Sequence, residues 1–335
     1  GTSSFPSVAW NESYDMGLNG LLPTGTTYRL FGGLDGLRQK GFDFRSQQFV
    51  FAPTLYPGAA GIEMTQPLLR NFWIDQPRWA ISVNKKTIVQ EQQGVRGILI
   101  DIATQVQTAY YTMAAARESI SVQTKAVELA ERLLMENRKR VDVGALAPWQ
   151  SQSAESQLAT SRADLINAQA AYGQAQNTLR RLLTTDYSDN ADTILEPGEK
   201  FTPQPYPFNR QESWTRGLTM RPDIIQSQLE LEKQNVTIRF RRNQMFPQLD
   251  LIGTFGITAN ATDVGLTLNE MSNTEFKNYG VGARLNIPLG NRTARSALKG
   301  AKLEKERLIL RHKQLEQSVM LAIDNSILVA QTAYE

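Results

Sequence analysis

The fold is decided by the stretch Leu99–Leu134, which reads LIDIATQVQTAYYTMAAARESISVQTKAVELAERLL. Eleven of its positions follow one another at alternating spacings of three and four, and all but one are apolar: Leu99, Ile102, Val106, Ala109, Met113, Ala116, Ile120, Gln123, Val127, Ala130 and Leu134. A 3.5-residue repeat kept over about five heptads is the pattern of a coiled-coil seam. The stretch therefore predicts a long helix that packs along one face.

The helix is predicted to extend well beyond this seam. No proline follows Pro77 between Asp75 and Arg138. At about 1.5 Å per residue, a helix over that range would be roughly 95 Å long. Gly94 and Gly97 mark the candidate position of a break or kink.

A second helix is predicted from Pro148 to Leu183. Large and small residues alternate along its expected seam, at Leu158, Leu165, Tyr172 and Leu179 and at Ala154, Ser161, Ala168, Ala175 and Leu182. Between the two helices, Gly144 suits the C′ position of the first helix, and Pro148 suits the first turn of the second. The two helices are therefore predicted to form an antiparallel hairpin with a tight tip.

The remaining regular segments are rich in glycine, threonine and aromatic residues and predict β-strands: 14–34, 48–69, 248–259 and 279–289. Within the first of them, Pro23-Thr24-Gly25 marks a turn or a bulge. In the last of them, one face carries apolar residues and the other carries polar residues or glycine: Tyr279, Val281, Ala283, Leu285 and Ile287, against Gly280, Gly282, Arg284 and Asn286. This alternation suits a barrel wall between lipid and water, and it equally suits the half-buried sheet of a soluble protein.

Three short sequences recur in the same order. Phe5-Pro6-Ser7-Val8 returns as Phe246-Pro247-Gln248-Leu249, Gln66-Pro67-Leu68 as Ile287-Pro288-Leu289, and Gln107-Thr108-Ala109-Tyr110 as Gln331-Thr332-Ala333-Tyr334. The repeated unit is strands, a Pro-Leu exit and a long helix, so two internal repeats are predicted, incomplete at both ends of this chain. The first copy is 20 residues longer between its two prolines, which predicts longer strands or an extra loop.

Composition excludes several classes of function. The sequence has no cysteine, which rules out disulfides, thiolate metal sites and thiol nucleophiles within it. Its 36 basic and 33 acidic residues are interleaved, which is not the footprint of a nucleic-acid-binding protein. The sequence also lacks a phosphate-binding loop, an HExxH motif and a GxSxG motif. We therefore predict no enzyme activity, no catalytic residues, no cofactor and no metal site.

Individual residues carry open alternatives. The single histidine, His312, is expected to be structural or exposed to solvent. Trp73 and Trp79 fit interfacial anchors and core packing equally. The basic run Arg239, Arg241 and Arg242 fits a solvated helix end or a contact with phosphate or lipopolysaccharide. An aromatic girdle or ordinary strand packing would explain Tyr14, Tyr28, Phe31, Phe49, Phe51 and Tyr56.

The ordered set of motifs resembles the TolC family of outer-membrane efflux and secretion proteins. The resemblance covers nearly the whole chain. It is carried by Leu22-Pro23-Thr24-Gly25, Thr65-Gln66-Pro67-Leu68-Leu69-Arg70, Arg140-Val141-Asp142-Val143-Gly144 with Ala147-Pro148, the helix Ser151 to Leu183, Arg221-Pro222-Asp223-Ile224, Phe246-Pro247-Gln248-Leu249 and Leu285-Asn286-Ile287-Pro288-Leu289-Gly290.

The resemblance implies a mixed α and β fold. Each protomer would give four strands to a 12-stranded outer-membrane β-barrel shared by a trimer, continuous with a long α-helical coiled-coil tunnel. Four strands cannot close a barrel alone, so oligomerisation follows if they cross the bilayer. The implied segments are a first strand pair at 1–70, a helical hairpin at 71–185 with its tip near 143–148, an equatorial linker at 186–214, a helix at 215–245, a second strand pair at 246–290 and the start of the second tunnel helix at 291–335.

The implied function is the outer-membrane component of a tripartite efflux pump or a type I secretion system. It would be located in the Gram-negative outer membrane and extend into the periplasm. The implied partners are two further copies of the chain, a periplasmic adaptor protein, an inner-membrane pump or ABC transporter, and outer-membrane lipid, with no nucleic acid. The alternative is a structural or adhesive coiled-coil protein with a β-rich cap, outside any membrane.

Two groups of site residues follow from the resemblance. The hairpin tip is the expected adaptor contact, and the alternative is that it is a simple turn between helices. The residues of the tip are Val143, Gly144, Ala145, Leu146, Ala147 and Pro148. The junction between barrel and tunnel is expected at Pro67, Leu68, Trp73, Pro288, Leu289 and Gly290. The second hairpin tip, which carries the gate in the resembled family, is expected to lie outside this chain.

Overall fold

The computed structural model describes residues 8–43, 48–51, 54–188, 193–198, 207–273 and 277–334. Its elements in chain order are β1 (Val8–Leu21), β2 (Thr27–Asp43), β3 (Gln48–Phe51), β4 (Tyr56–Pro67), α1 (Gln76–Asp142), α2 (Pro148–Leu183), α3 (Arg210–Met220), α4 (Pro222–Asn243), β5 (Gln248–Ala261), α5 (Val264–Ser272), β6 (Lys277–Asn286) and α6 (Arg292–Tyr334). The chain divides into two compact units, residues 1–90 with 226–316 and residues 91–225 with 317–335. Each unit draws on both halves of the sequence.

The first unit contains one antiparallel sheet with the strand order β1-β2-β4-β5-β6. The short strand β3 pairs with β2 beyond the end of the β2–β4 ladder. Five residues of β2 separate the two ladders, against six on the side of β3 and β4. The strands β3 and β4 therefore follow a single line, and the sheet is five strands wide.

The prediction of one strand pair in residues 1–70 was wrong, because the structure places four strands there. The cause is the Leu22–Thr26 turn. Its Leu22 N–H donates to Thr26 O at 2.8 Å, and Gly25 has a φ of 84°, which glycine adopts without strain. The turn folds the predicted strand 14–34 back on itself, so β1 and β2 pair from Val8 to Leu21. The sheet thus has six strands where four were expected; Phe5, Pro6 and Ser7 lie outside the described residues.

The long helix α1 runs unbroken from Gln76 to Asp142. Gly94 and Gly97 do not end it. A Cβ at Gly97 would lie 3.7 Å from Pro222 Cβ, so this glycine admits the start of α4 close to α1. The glycine reflects close packing of two helices, which a sequence pattern cannot distinguish from a break.

The second unit has its core between α1 and α2. One cluster joins Ala109 and Met113 to Ala175 and Leu179, and another joins Ala130, Leu134, Ala154 and Leu158. The predicted seam of α2 is confirmed, since all its residues are buried or half-buried. On α1 the prediction holds from Val106 to Leu134. Leu99 and Ile102 are exposed, because α2 ends at Leu183 and supplies no further partner.

Two short helices were not predicted. At α3, the Asn209 side chain caps the helix by accepting from Glu212 N–H. At α5, Asp263 accepts from the N–H groups of Gly265 and Leu266. Both caps use residues that satisfy free N–H groups in the first turn. Among the described helices, none is both long and apolar enough to cross a membrane.

Candidate functional site

One face of the sheet is apolar across all five strand lines. Strand alternation and the ladder registers place these residues on it: Tyr14, Met16, Leu18, Tyr28, Leu30, Leu34, Ile62, Met64, Leu251, Phe255, Ile257, Tyr279, Val281 and Leu285. They are not a core, because Tyr279 is 86% exposed and Val281 is 84% exposed. The predicted apolar face of the last strand is therefore present, and it continues across the whole sheet.

The opposite face is polar. It carries Asn11, Ser13, Asp15, Asn19, Arg29, Asp35, Glu63, Thr65, Asp250, Thr254, Thr258, Asn260, Asn278 and Arg284. Among the described side chains, Leu21, Phe31 and Ile252 are its large apolar exceptions. A recess of about 830 Å³ lies largely on this face, lined by residues of β1, β2, β4 and β5. The polar face therefore carries a recess of the size of a small-molecule pocket.

Among the residues whose side chains the structure describes, the polar ones on the apolar face are Glu12, Arg38, Gln66 and Lys277, which lie towards the two ends of that face. Of the predicted aromatic girdle, Tyr14 and Tyr28 lie on the apolar face and Phe31 lies on the polar face. The side chains of Phe49 and Phe51 lie outside the described residues. The aromatic pattern alone could not assign these faces, because it does not reveal the turn that sets the register.

The exit from β4 is held by the first turn of α1. Asp75 caps this helix, since its Oδ1 accepts from Arg78 N–H at 2.8 Å. The Arg78 guanidinium pairs with Asp75 at 3.1 Å and donates from Nη2 to Asn71 O at 2.7 Å and Phe72 O at 2.8 Å. A Cβ at Gly25 would lie 2.5 Å from that Nη2. The Leu22–Thr26 turn thus rests on Arg78, beside the junction.

Both strand exits are hydrogen-bonded to the connection between α4 and β5. Asn243 is buried, and its Oδ1 accepts from Asn71 N–H at 2.7 Å. Leu68 N–H donates to Leu249 O at 2.7 Å. From the second exit, Asn291 Nδ2 donates to Met245 O at 3.1 Å. Segment 243–249 therefore joins the two Pro-Leu exits.

The two exits share a backbone feature. Asn71 has a φ of 68° and Asn291 a φ of 36°, each just before a long helix. Asparagine tolerates this left-handed region better than most residues. Sequence reasoning missed both asparagines, together with Asp75, Arg78 and Asn243. The only available signal was an asparagine three or four residues after each exit proline, which is weak alone.

The predicted junction residues lie at these two exits. Pro67 is the last residue of β4, and Leu68 extends its pairing with β5. Pro288, Leu289 and Gly290 form the connection from β6 to α6, where Gly290 has a φ of 76°. The hydrogen bonds that join the two exits to segment 243–249 are called the clamp. Trp73 is 81% exposed and takes no part in these bonds.

The two tryptophans take different environments. Trp79 stacks on Phe240 with centroids 5.4 Å apart, and its Nε1 donates to Thr237 Oγ1 at 3.2 Å. Trp79 is therefore a packing residue between α1 and α4. The exposed ring of Trp73 meets Phe72 edge-on at 4.8 Å. Its exposure suits an interfacial anchor.

The hairpin tip is a Schellman turn followed by a proline-started helix. Ala145 N–H donates to Arg140 O at 2.8 Å, and Gly144 N–H donates to Val141 O at 2.9 Å. Gly144 has a φ of 75°, as its C′ position requires, and Pro148 opens α2. Val143 is 78% exposed, and Ala145 and Ala147 are also exposed. The tip thus presents small side chains to solvent.

Charged pairs outside the sheet fasten the helices of the second unit. Arg221 donates two hydrogen bonds to Asp223, which lower the pKa of that carboxyl below its ordinary value. Arg210 and the Trp214 indole both donate to Asp324. The bond from Arg210 is the main reason that the pKa of Asp324 is lowered. The second pair joins α3 to α6.

The remaining residues singled out in the sequence are His312 and the basic run Arg239, Arg241 and Arg242. His312 Nδ1 lies 3.0 Å from Ser227 Oγ, and its Nε2 lies 3.3 Å from Glu316 Oε1. The sequence prediction overlooked Glu316, four residues further along the same helix. The basic run at the end of α4 is exposed. Within the described ranges, His, Asp and Glu side chains form no group of three that could hold a metal ion.

The fold is thus a sheet with one apolar and one polar face, and its two exits lead into long helices. The model of the outer membrane efflux protein family matches residues 39–185 and 216–335. Since the match covers most of the sequence, the chain belongs to this family. It is thus related to proteins of the outer membrane.

Individual relatives are distant. The chain is 20% identical over 276 residues to the probable outer membrane lipoprotein SilC of Salmonella typhimurium, covering 82% of this chain and 57% of that protein. It is 24% identical over 205 residues to outer membrane protein TolC of Escherichia coli (strain K12), covering 60% and 39%. The chain thus spans little more than half the length of one relative and less of the other.

The solved structure of the outer membrane protein VceC from Vibrio cholerae has the same fold. It superposes with a TM-score of 0.66 at 15% identity, over 97% of this chain and 70% of that one. At this identity the likeness concerns the fold alone.

Proposed function

We propose that this chain supplies wall and tunnel to a passive outer-membrane export duct, the outer-membrane component of a tripartite efflux pump or type I secretion system. The observation that carries the proposal is the exposed apolar face of the sheet. Water would penalise so many exposed large side chains, whereas lipid would bury them at about 25 cal/mol per Å². The polar face would line a water-filled path.

The dimensions of the apolar face fit a bilayer. On β5 it extends from Leu249 to Ala259, ten steps of about 3.3 Å, or roughly 33 Å along the strand. A strand tilted by about 40°, as in outer-membrane barrels, would then cross the roughly 25 Å apolar band. Glu12, Arg38 and Lys277 stand at one end of this face, and Gln66 stands at the other.

A trimer is the assembly we propose. Among the described strands, the outer edges of β1 and β6 have no strand partner, and lipid cannot satisfy their N–H and C=O groups. Closing the sheet into a ring with further copies removes these edges. The Trp73 ring, exposed beside the first exit, would anchor the junction at the membrane surface.

The test is the state of the purified full-length protein. It should fractionate with the outer membrane, require detergent, have the mass of a trimer by light scattering, and conduct ions in a planar bilayer once its periplasmic end is open. A monomer that is soluble without detergent would overturn the proposal. That result would favour the adhesive coiled-coil alternative.

We also propose that the tip Val143–Pro148 contacts a periplasmic adaptor protein, which in turn contacts an inner-membrane pump or ABC transporter. The support is the small exposed surface of the Schellman turn, where a Cβ at Gly144 would meet no described atom within 4 Å. Small side chains let a partner helix approach closely.

The substitution Ala145→Arg tests this contact by placing a long charged side chain on that surface. Export should be lost while the trimer and its conductance are retained. Gln157→Arg, at an exposed position further along α2, is the matched control and should leave export intact. Equal export by both variants would exclude the tip as the contact.

A further inference from the structure

A recess of about 560 Å³ lies between the start of α1 and the end of α4, next to the first strand exit. Three arginines line it, Arg78 from α1 and Arg239 and Arg242 from α4. Among the described residues that line this recess, none is an aspartate or a glutamate. The recess therefore has a basic wall and the volume of a small-molecule pocket.

Arg78 is held in place on one side only. Its Nη2 donates to Asn71 O at 2.7 Å and to Phe72 O at 2.8 Å. Its Nε lies 3.1 Å from Asp75 Oδ1, and this carboxylate balances its charge. Its Nη1 makes no hydrogen bond to a described residue. A guanidinium fixed in this way loses little side-chain entropy when its free nitrogen binds a ligand.

The other two arginines leave positive charge unbalanced. Arg239 and Arg242 lie one helical turn apart on α4 and are exposed. Among the described residues, neither forms an ion pair with a carboxylate. The acidic residues of the neighbouring turns pair elsewhere, Glu230 with Lys233 and Glu232 with Lys86. The recess thus keeps about two positive charges available for an anion.

Large apolar side chains line the recess on the side of the sheet. Trp73 lies in the connection before α1, and Phe246 lies in the connection before β5, where it is 48% exposed. Arg239 lies about one turn before the end of α4, further from the sheet. Exposed rings towards the sheet and guanidinium groups towards the helices match the polarity of a lipid molecule at a bilayer surface.

We infer that this recess binds the phosphate of an anionic phospholipid, with the start of the acyl chains against Trp73 and Phe246. The inference rests on the proposed location of the sheet in a bilayer. Arginine suits the ligand because its planar group donates two parallel hydrogen bonds to phosphate oxygens. A zwitterionic head group binds less well, because its own cation meets the unbalanced charge of Arg239 and Arg242.

Native mass spectrometry of the full-length trimer tests the inference with phosphatidylglycerol and phosphatidylcholine offered separately at equal concentrations. The wild type should bind phosphatidylglycerol more tightly. The double variant Arg239→Gln with Arg242→Gln should lose this affinity by roughly tenfold or more, because each basic residue near a membrane surface contributes about 1 kcal/mol. The single variants give the same comparison if the double variant does not assemble.

Arg241→Gln is the matched control. Arg241 is exposed on the same turn of α4, but its guanidinium lies over the Phe240 ring at 5.6 Å, and the residue does not line the recess. This variant should bind phosphatidylglycerol as the wild type does. An equal loss of affinity in this control, or equal binding of the two lipids by the wild-type trimer, overturns the inference. A monomer that is soluble without detergent refutes the proposed duct instead.

Two further measurements separate a bound lipid from a free anion. Inorganic phosphate, added at the concentration of the lipid, should leave phosphatidylglycerol bound; full displacement would mean that the recess takes free phosphate. Phosphatidylglycerol with brominated acyl chains should quench the part of the tryptophan emission that Trp73→Phe removes. This quenching should weaken in the Arg239→Gln and Arg242→Gln double variant, and unchanged quenching would contradict the site.

Discussion

The sheet and the helical hairpin contain apolar residues in similar variety but use them in opposite ways. In the hairpin, Met113 is 1% exposed and Leu179 is 4% exposed, and both lie in the seam between α1 and α2. In the sheet, Val281 and Tyr279 stand almost fully exposed on one face. A helix pair buries its apolar stripe against itself, whereas α5 packs on the apolar face of the sheet only beside Gly58 and leaves most of the large apolar side chains there exposed. The comparison teaches that the hairpin buries its apolar residues within itself, as a water-surrounded structure does, whereas the sheet leaves them exposed, which is the basis of the proposal that lipid covers them.

The largest expected effect tests burial in the hairpin. Met113→Ala should lower the free energy of unfolding by about 2–5 kcal/mol, because it leaves a cavity between α1 and α2. Thermal unfolding followed by circular dichroism of the full-length protein measures the change. Glu118→Ala, at an exposed position of the same helix, should cost less than about 0.5 kcal/mol. An equal loss of unfolding free energy in both variants would mean that burial of Met113 in the seam does not stabilise the hairpin.

The next effect tests exposure in the sheet. Val281→Arg should cost about 2–4 kcal/mol in a lipid bilayer, because it places a charge on the lipid-facing surface. Gly282→Arg is the matched control on the polar face, where a Cβ would meet no described atom within 4 Å. Urea unfolding in phospholipid vesicles compares the two variants. A larger loss of unfolding free energy for Gly282→Arg than for Val281→Arg would contradict the assignment of the apolar face to lipid.

A smaller effect concerns the backbone of the sheet. A Cβ at Gly61 would lie 2.5 Å from Phe255 O, so Gly61→Ala should cost about 1–3 kcal/mol through strain between β4 and β5. Gly253→Ala, where the added Cβ has no described neighbour within 4 Å, should be close to neutral. The same unfolding assay ranks them. Similar unfolding free energies for the two variants would mean that β4 and β5 move apart around the added Cβ without a loss of stability.

The smallest effect concerns pH in the helical region. The pKa of Asp223 is lowered in the folded state by Arg221, so this pair stabilises the protein above the ordinary carboxyl pKa of about 3.9. The stabilisation is lost as the pH falls through the lower folded-state pKa. Asp223→Asn should therefore cost up to about 1 kcal/mol at pH 7, a small amount because the pair is partly exposed, and less near pH 2.

Urea unfolding at the two pH values measures the difference for Asp223→Asn. Asp164→Asn, at an exposed position of α2, serves as the control and should show no such dependence. A constant difference between wild type and Asp223→Asn across this range would mean that the ion pair contributes nothing.

The hairpin was largely predictable from sequence because its signals are periodic and local. The seam residues from Val106 to Leu134, the C′ glycine and the N1 proline each follow a rule that holds within a few residues. The sheet was predictable in character but not in strand number. Pro23-Thr24-Gly25 is compatible with a bulge and with a turn, and only the pairing of β1 with β2 decides between them.

The junction was the least predictable part. Proline and leucine at the exits were recognised from their repetition. The clamp itself depends on Asn71 meeting Asn243, which are 172 positions apart. An asparagine at a positive φ leaves no periodic signal, and a contact between distant residues leaves none in a single sequence. The adaptor contact at the tip remains a prediction.

The ladder between β4 and β5 has a consequence for the order in which the sheet forms. The strands β1 and β2 are joined by a five-residue turn, but β4 and β5 pair residues nearly two hundred positions apart, with four helices between them. Closing so long a loop delays contact, so local hairpins form first and this central ladder forms last. Until it does, both halves present open strand edges. Pulse-labelled hydrogen exchange should find amides of the β1–β2 hairpin protected before those between β4 and β5, and simultaneous protection would refute this order.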